Sequence, residues 1–484
     1  MKDLWITALA TLMAGAVFAQ NDADVRRYTQ LHPHGTARFA GMGGAFTALG
    51  GDFSAMHINP ASVAVFRFNE LSLSTALEGR EVSTSLNDNQ SSAIAGQLAV
   101  ANAGFVLTSE ISDPFWKSFN IGLSISRINN FNEELSQDGV LNLGNTLMQD
   151  FANEASGLDP ADLSNFGPRL AYDAFIIDDV SPGVYEGRVS QGQMRQEQLT
   201  ETSGRMNDIA ITAGANYNDR LYLGAGIGLV SSFYRSTNTI REEPTEPNTT
   251  DIVNYRYRED LQIEGLGVNF RVGAIYRFEQ GFRVGASIQT PTGIRLQDNY
   301  RVSMRSTLKD PDEIVNATSG DDFLEYRIRT PWRFSVGAAG VIKGLAILSG
   351  QYEYVDFSAG QMLPSNRRTS GNPFSDVNEV MQTFYRPQHV LRGGAEFRLT
   401  KSLMARGGLA YWTNPIPSNA TIIDGDPSLL QFSGGFGYRG AAWNLDLSYT
   451  YGRFNEPYRA TGTGPLQELS NTLSTLAITL GIRL

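Results

Sequence analysis

The sequence predicts an all-β fold, a transmembrane antiparallel β-barrel of about 14 strands with a small N-terminal plug, or hatch, that contains short helices. The first observation behind this prediction is that apolar and polar residues alternate at every second position over most of the chain after residue 67. The second is that the connections between these rows alternate between tight turns and long polar loops. Both patterns are typical of a wall with lipid on one face and water on the other.

A third observation concerns what the chain lacks. Beyond its N-terminus, no window is apolar enough for a membrane helix. A chain of this kind that enters a membrane must cross it as strands, and only a closed barrel leaves no backbone group unpaired in hydrocarbon.

Composition excludes some partners and sites. The 484 residues carry a formal net charge of −11 and show no basic cluster. This argues against a nucleic-acid partner, because binding phosphates needs a basic surface. The chain contains no cysteine, which rules out disulfides and cysteine-ligated metals.

Residues 1–19 are typical of a secretory signal peptide. A weakly charged start is followed by an apolar run from Leu4 to Phe18, and the segment ends at Ala19 among small residues. The apolar run is shorter than the roughly 20 residues of a membrane-anchoring helix. We expect export, with a mature chain that begins at Gln20.

Residues 20–67 are predicted to form the plug inside the barrel. Its first part, Asn21 to His34, is polar and is expected to be mobile. The remainder is rich in glycine and small residues, which allow backbone to pack closely against a barrel wall. Proline, asparagine and glycine signals predict two short helical turns: Ala45 to Leu49, ended by Gly50 and Gly51, and Ala61 to Val65, preceded by Asn59 and Pro60.

Residues 68–484 are predicted to form the barrel wall. In the clearest row, Asn444 to Tyr451, odd-numbered residues are apolar or aromatic and even-numbered ones are polar. Each row is long enough for the roughly 9–11 residues that a tilted membrane strand requires. The predicted strands are 68–78, 92–108, 118–130, 204–217, 220–236, 252–278, 281–306, 322–341, 344–357, 383–399, 402–416, 428–438, 441–453 and 470–484.

The connections have the asymmetry of outer-membrane barrels, with short turns expected on the periplasmic side and long loops outside. Aromatic residues such as Trp443 and Trp332 fall near strand ends, as membrane interfaces favour, although aromatics are also common in strands generally. The tight turns are at 218–219, 279–280, 342–343, 400–401 and 439–440, and the long loops are 131–203, 237–251, 307–321, 358–382, 417–427 and 454–469.

The N-terminal part of the sequence resembles the FadL/TodX (OmpP1) family of outer-membrane transporters for hydrophobic compounds, and in particular its Bacteroidetes branch. The resemblance rests on an ordered set of motifs just before the first strand, with weaker similarities along the rest of the mature chain. The motifs are Thr36-Ala37-Arg38, Met42-Gly43-Gly44-Ala45-Phe46, Leu49-Gly50-Gly51-Asp52 and Asn59-Pro60-Ala61.

The resemblance implies a monomeric barrel of fourteen strands, closed by an N-terminal hatch, in the outer membrane of a Gram-negative cell. Such a protein takes up long-chain fatty acids or other hydrophobic small molecules without an energy-coupling protein. It implies that the ligand passes from an outer groove to a pocket in the barrel and leaves sideways through the wall into the membrane lipid when the hatch moves.

The chain departs from the family in one respect. The family builds its outer groove from helical loops in the middle of the barrel. The corresponding loops here, 237–251 and 307–321, are long beside the tight turns but short in comparison with such groove loops, and they are charged. The large loop here is 131–203, which carries apolar residues at partly helical spacing. If a groove exists, this extracellular loop is its expected source.

Plug and gating roles are assigned to residues of these motifs: Gly43, Gly44, Phe46, Gly50, Gly51, Asn59, Pro60 and Ala61. A hatch must be rigid enough to seal and loose enough to shift. A capped turn held by proline supplies the first property and flanking glycines the second. The simpler alternative, that Asn59 only caps a helix, stays open.

Alternation points several charged side chains into the barrel, and an inward arginine can pair with a carboxylate ligand through two hydrogen bonds. Arg271 and Arg406 are the candidate substrate-binding residues. The alternative is that inward arginines pair with acidic residues of the wall or plug.

No cofactor, metal site or catalytic residue is predicted. His32, His34 and His57 are the candidate ligands for a metal or haem. A flexible tail, however, offers no further hydrogen-bonding groups to orient such ligands. His389 has no recognisable catalytic partner in sequence, so an enzyme is not expected.

Two other functions were considered. A barrel that serves as a secretion or surface-attachment partner for other proteins would use loop 131–203 as its docking surface. A TonB-dependent receptor is disfavoured, because such barrels have about 22 strands and larger plugs. A continuous apolar pocket between plug and wall would favour the transporter.

Overall fold

The computed structural model describes residues 21–87, 89–246, 251–309, 313–366, 371–416 and 427–484, so the predicted signal peptide lies outside the described residues. Within these ranges, fourteen antiparallel strands form one closed barrel, and the predicted fold class is confirmed. The strands are β1 (Glu70–Leu86), β2 (Asn89–Glu110), β3 (Trp116–Asn130, continued by Glu133–Asn142), β4 (Gln193–Tyr217), β5 (Leu221–Pro244), β6 (Ile252–Arg277), β7 (Phe282–Gln289, continued by Gly293–Leu308), β8 (Ile314–Arg329, continued by Arg333–Ile342), β9 (Ala346–Asp356, continued by Gln361–Pro364), β10 (Pro387–Arg398), β11 (Leu403–Trp412), β12 (Leu429–Arg439), β13 (Trp443–Arg459) and β14 (Leu466–Arg483).

The strands follow one another round the barrel in chain order. The barrel closes between the first and last strands, where Glu70 lies opposite Arg483 and the two side chains form an ion pair of 3.4 Å. Neither β1 nor β14 is therefore left as a free sheet edge, which is what a strand in hydrocarbon requires.

The two faces of the wall differ as the alternation predicts. Leu445 and Leu447 on β13 are 43% and 41% exposed, whereas Asp446 and Ser448 between them are buried. Exposed apolar side chains on a barrel of this kind face lipid rather than water. At the short-turn end, the exposed rings of Tyr438 and Trp443 pack together at 5.1 Å, as in an interfacial aromatic band.

The N-terminal segment is helical and buried, so the expectation of a mobile segment at Asn21 to His34 is wrong. Helix α1 (Asp22–Thr29) is capped by Asn21, and Val25 and Tyr28 on it are fully buried among apolar side chains of the wall. The polar residues of α1 hid this apolar face in the sequence. Helix α2 (Ala37–Gly41) and the 3-10 helices Ser54–His57 and Pro60–Val65 follow.

None of the helices among the described residues is long and apolar enough to cross a membrane.

The strands extend further at the long-loop end than predicted. β5 runs to Pro244 and β6 starts at Ile252, so most of the predicted loop 237–251 is strand; the predicted loops 307–321 and 454–469 are largely strand for the same reason. The outward face of these extensions is charged, which masked the alternation. Their inward face carries buried aromatic side chains such as Tyr255 and Tyr257. Most of loop 417–427 lies outside the described residues.

The predicted loop 131–203 consists of strand ends and a folded insert. The insert contains the helices α3 (Leu147–Ala155) and α4 (Pro168–Asp173), the 3-10 helices Leu143–Asn145 and Pro160–Asp162, and a hairpin of Ile177–Ser181 with Val184–Gly187. Met148 and Phe151 on α3 belong to one buried cluster with Tyr255 and Tyr257 of β6. The apolar residues of this loop therefore pack against the wall extension.

The other predicted long loop, 358–382, also contains regular structure. It includes the 3-10 helix Phe357–Ala359 and helix α5 (Ser375–Phe384). Met381 on α5 is fully buried in the same cluster as Val25 and Tyr28 of α1. The plug is thereby held at this end by a loop as well as by the wall.

Candidate functional site

The turn at Asn59 and Pro60 lies against two glycines of the wall. The Asn59 side chain is fully buried; its Oδ1 accepts from the Ala61 N–H at 3.0 Å, and its Nδ2 donates to a β6 carbonyl at 3.3 Å. A Cβ atom on Gly273 of β6 would overlap Asn59, and one on Gly224 of β5 would overlap Pro60 and Ala61. Asn59 is therefore both a helix cap and a wall contact.

Gly43 and Gly44 form a second contact on the far side of the plug. Their φ angles of 62° and 74° lie in the left-handed region that favours glycine. The backbone from Met42 to Gly43 lies directly on Gly394 of β10 and Gly408 of β11, where no larger residue would fit. This is the closest approach of the plug backbone to that part of the wall.

The turn between these contacts is held to the wall by a glutamine. The backbone N–H groups of Phe46 and Thr47 both donate to Oε1 of Gln351 on β9, at 3.2 and 3.1 Å. The Phe46 ring is fully buried. The turn ends at Gly50 and Gly51, each with a positive φ, as predicted for a glycine-terminated helical turn.

A buried ionic cluster lies beneath His57 of the plug. Its Nδ1 lies 2.8 Å from Oδ2 of Asp208 on β4, and its Nε2 lies 3.1 Å from Oγ of Ser124 on β3. Asp208 also pairs with Arg271 of β6 at 2.6 Å, and Arg271 donates to Gln289 at 2.9 Å. Four strands of the wall thus converge on one plug side chain.

The Asp208, His57 and Ser124 contacts have the connectivity of a hydrolase triad. Ser124 is, however, fully buried, and its Oγ is already contacted by Nδ2 of Asn102 at 3.1 Å. No space remains beside this hydroxyl for a substrate carbonyl. The arrangement is suited to holding the plug in place.

A second ionic cluster surrounds Arg406 on β11. Its Nε donates to Glu396 at 2.7 Å and its Nη1 to Asp446 at 2.6 Å. Glu396 also accepts from Arg38 of helix α2 at 3.0 Å. Both candidate arginines point inward as alternation predicts, and both are bonded to carboxylates, which is the alternative that the sequence left open.

The histidines are held by different partners. His32 packs against the ring of Trp412 with centroids 5.4 Å apart, His34 lies 3.2 Å from Glu78, and His389 on the outer face contacts the Tyr352 hydroxyl at 2.8 Å. In the part of the chain that the structure describes, no group of three or more His, Asp or Glu side chains is placed to hold a metal ion.

A cavity of about 520 Å³ lies between the plug and the wall. This is within the range of about 300–1,000 Å³ that ligand pockets occupy. It is lined on one side by plug residues and on the other by the inner faces of β1 to β5 and β10 to β14. Its apolar lining includes Trp412, Leu429, Phe454 and Leu473. Charged residues such as Arg80, whose guanidinium lies over the Phe454 ring, also line it.

The wall beside this cavity is open between β2 and β3. Hydrogen-bonded pairing of these strands covers only the stretch from Asn102 to Glu110, opposite Ser126 to Ser118. Beyond it, β3 shifts register at Arg127 and pairs only with β4. Side chains bridge the two strands instead: Nε2 of Gln97 donates to Oδ1 of Asn130 at 2.9 Å. We call this stretch the seam.

The seam is also linked to the plug. Glu78 of β1 accepts from Asn130 at 2.6 Å and from Gln97 at 3.0 Å, and it lies 3.2 Å from His34 of the plug. Asn130 and Glu78 line the cavity. A plug movement that shifts His34 therefore acts on the group that bridges the seam.

The wall residues that hold the plug are not evident from the sequence. Asp208, Gln351 and the glycines 224, 273, 394 and 408 lie at inward positions of predicted strands. A cluster of inward glycines is a signal for close approach of another backbone. The partner of each was not deducible, because the contacts join residues 151 or more positions apart.

The comparisons with known proteins agree with this architecture. The model of the outer membrane protein transport protein family (OMPP1/FadL/TodX) matches residues 198–482. No curated protein sequence gives a significant match.

Solved structures share the fold at low sequence identity. A FadL homologue of Pseudomonas aeruginosa superposes with a TM-score of 0.55 at 14% identity, over 94% of this chain and 99% of that one. The toluene transporter TodX of Pseudomonas putida gives 0.53 at 12% identity, over 94% and 100%. The toluene transporter TbuX of Ralstonia pickettii gives 0.51 at 14% identity, over 93% and 98%. At such identities the superpositions establish the fold.

These findings favour one of the functions considered above. Fourteen strands differ from the about 22 of TonB-dependent receptors, and a secretion or surface-attachment role finds no support in the matched family or in these structures. The Bacteroidetes branch stays a prediction. Because the family model covers more than half of the chain, the protein belongs to the OMPP1/FadL/TodX family of outer-membrane channels for hydrophobic compounds.

Proposed function

We propose that the protein takes up long-chain fatty acids or other hydrophobic small molecules passively, through a monomeric barrel closed by a hatch at residues 20–67. Residues 1–19 would be its signal peptide and 68–484 its wall. The observation that carries this proposal is that the 520 Å³ cavity beside the plug borders the seam between β2 and β3. Ligand in the cavity has a sideways route to the membrane lipid.

The cavity lining suits an amphiphilic ligand. Trp412, Leu429 and Phe454 supply apolar surface, which favours an acyl chain or ring system. Arg80 lies over the Phe454 ring and is paired with Glu133 at 2.6 Å, so the polar part of the lining carries no unpaired charge at this point.

The outer faces of the seam strands are compatible with release into lipid. Ile94 and Leu98 on β2 are 69% and 76% exposed on the outward face. Among the described residues, the bonds that cross the seam involve side chains, such as those of Asn130 with Gln97 and with Glu78. Opening the seam breaks these bonds rather than a strand ladder. A neutral side-chain bond contributes about 0.5–1.5 kcal/mol, and a bond to a charged group, such as that of Asn130 with Glu78, about 1.5–3 kcal/mol.

The gating residues are proposed to seat the plug. Gly43, Gly44, Phe46, Gly50, Gly51, Asn59, Pro60 and Ala61 supply the turns and contacts described above. Arg271 borders a separate cavity of only about 40 Å³, little more than the space for a water molecule or two. We therefore assign Arg271 and Arg406 to plug seating in preference to ligand binding.

Filling the cavity is expected to reduce uptake. Thr475 on β14 lines the cavity, and its neighbour Ser474 faces outward beside Tyr449. Thr475→Trp should lower the rate of fatty-acid uptake by about tenfold or more, because the indole ring occupies cavity volume that the ligand needs, and about 1.4 kcal/mol of lost binding is a factor of ten. The measurement is uptake of radiolabelled oleate by cells that lack their own transporter and express each variant at equal level.

Ser474→Trp is the matched control, and it should leave uptake unchanged. Equal uptake by both variants and the parent would contradict transport through this cavity. Repeating the assay with a monoaromatic hydrocarbon separates fatty-acid from hydrocarbon preference.

Closing the seam is expected to abolish release. The chain has no cysteine, so Gln97→Cys with Asn130→Cys introduces a unique pair. A short, reducible bifunctional thiol reagent across this pair should stop uptake, and reductant should restore it, because the side-chain bridge between these positions is the proposed gate.

The control pair is Leu447→Cys with Ile478→Cys, which lie opposite each other on the hydrogen-bonded strands β13 and β14. Cross-linking this pair should have no effect. Full uptake with a quantitatively cross-linked seam would show that the ligand leaves elsewhere.

A further inference from the structure

An aromatic group marks the outer membrane interface on strands β8 to β10. Trp332 and Phe334 face outward at the long-loop end, with ring centroids 6.4 Å apart and nearly parallel planes. Tyr354 and His389 continue the group on the next two strands. Amphipathic rings of this kind settle at the level of lipid headgroups.

Three arginines lie immediately beyond these rings. The next outward-facing positions of β8 after Trp332 are Arg329 and Arg327. Arg295 on β7 lies directly opposite Arg327, with Leu266 of β6 opposite Arg295 on its other side. We call Arg295, Arg327 and Arg329 the arginine patch.

The patch is under-neutralised by protein groups. Arg295 pairs with Glu325 at 2.5 Å, whereas Nε of Arg327, within the described ranges, donates to a backbone carbonyl, that of Pro364, at 3.0 Å. Arg329 lies opposite Gly293 and has no carboxylate partner among the described residues. Like charges directly opposite on neighbouring strands are unfavourable by themselves, so the pairing of Arg295 with Arg327 favours a bound anion.

The row one step further from the membrane is acidic and amide-bearing. Gln297 lies opposite both Glu264 and Glu325, and its Nε2 donates to Glu325 at 2.6 Å. Carboxylates at this level can accept hydrogen bonds from sugar hydroxyls. The order from the membrane outward is therefore apolar and aromatic, then cationic, then hydroxyl-accepting.

We propose that the arginine patch binds the phosphate of a phosphorylated glycolipid in the outer leaflet. Arginine forks match phosphate oxygens, and basic groups beside a bilayer attract anionic headgroups. The acyl chains would lie against Leu266, Trp332 and Phe334, and the sugar would reach Glu264 and Glu325. This inference rests on the outer-membrane location and is independent of transport.

The test compares glycolipid binding by the full-length barrel and by a triple variant, Arg295→Gln, Arg327→Gln and Arg329→Gln. Binding of diphosphoryl lipid A to detergent-purified protein is measured by native mass spectrometry. The triple variant should bind lipid A about tenfold or more weakly. It lacks three arginines that would bond to the phosphate, and the loss of one such charge-assisted hydrogen bond is already worth about a factor of ten in affinity.

Arg453→Gln is the matched control. Arg453 also faces outward beyond an exposed tyrosine, Tyr451, but it lies opposite Leu430 and Thr472 and has no arginine neighbour across the sheet. It should bind like the parent. Heat-modifiable gel migration checks that every variant is a folded barrel.

Three results would overturn the proposal: equal lipid A binding by the triple variant and the parent, equal binding of dephosphorylated lipid A, or displacement of the lipid by inorganic phosphate at millimolar concentration. The last would indicate a site for a free anion. Oleate uptake by the triple variant should stay at the parent level, so that failure of this inference and failure of the transport proposal are distinguishable.

Discussion

Valine at Gly394 and Gly408 is expected to displace the plug while the barrel stays folded. Any side chain at these positions would overlap the plug backbone at Met42 and Gly43. The plug turns there at Gly43 and Gly44 in the left-handed region that glycine adopts readily, with its backbone directly on the wall. The double variant must therefore move the plug, the wall, or both.

The wall is the less yielding of the two. β10 and β11 are paired through nine consecutive residue pairs, whereas the plug contacts the wall through separate side-chain and backbone bonds. Overpacking typically costs about 1–3 kcal/mol per site. For the two sites together this is about 2–6 kcal/mol, so at about 1.4 kcal/mol for each factor of ten the displaced plug should become roughly thirtyfold to ten-thousandfold more populated.

Two measurements report the displacement. Limited proteolysis should cut the double variant in the plug, at Arg26 or Arg38, at protease concentrations that leave the parent intact. Cells that express it should become permeable to large antibiotics that the plugged barrel excludes. Gel migration before and after heating shows whether the barrel itself is folded.

The neighbouring glycines provide a matched control on the same two strands. A Cβ on Gly393 would meet nothing within 4 Å, and one on Gly407 would only reach Ser433 O at 4.0 Å. Valine at both should leave the plug protected. If valine at Gly394 and Gly408 and valine at Gly393 and Gly407 give the same proteolysis and permeability, the inward glycines are not what allows the plug backbone to lie against the wall.

Replacing Asp208 is expected to have the other large effect. Asp208→Leu leaves Arg271 buried without its carboxylate and leaves Nδ1 of His57 without its partner. Leaving one member of a buried ion pair unpaired costs about 3–5 kcal/mol. We expect a loss of plug protection in the proteolysis assay and a lower unfolding temperature of the barrel.

The paired variant Asp208→Leu with Arg271→Met separates an ionic from a packing effect. Apolar replacement of both charges is often close to neutral, so the pair should regain most of the barrel's unfolding temperature. An unfolding temperature no higher than that of Asp208→Leu alone would mean that the lost stability does not come from the stranded charge of Arg271.

The same pair also tests the role of Arg271. If this arginine only seats the plug, oleate uptake should return together with the unfolding temperature. If it binds the ligand carboxylate, the unfolding temperature should return while uptake stays low. The second outcome would restore the substrate-binding role that the sequence suggested.

Several features of the fold were predictable because they are local. The row from Asn444 to Tyr451 alternates so regularly that its outward and inward faces could be assigned residue by residue. The short turns were predictable for the same reason, since each separates two such rows. Glycine and proline signals likewise predicted the turns at Gly50 and Pro60.

The errors arose where a pattern was hidden. In helix α1 the buried residues Val25 and Tyr28 stand among charged residues, and this composition by itself predicts a polar, mobile segment. The outer parts of β5 to β8 carry charge on the face that lipid would otherwise contact, so they were read as loops. In both cases the apolar face has its partner elsewhere in the chain, and local sequence gives no sign of it.

By itself, the sequence determined that this chain makes a closed membrane barrel with a glycine-rich plug, because alternation and turn signals act between residues a few positions apart. Only the tertiary structure decided which side chains hold the plug, where the large cavity between plug and wall lies, and that backbone pairing between β2 and β3 stops beside it. These features depend on residues that the closure of the barrel brings together, such as His57 with Asp208 and Arg38 with Glu396. The positions of two residues along the chain do not show that they will pair in this way, because the closure of the barrel decides which wall residues lie beside the plug.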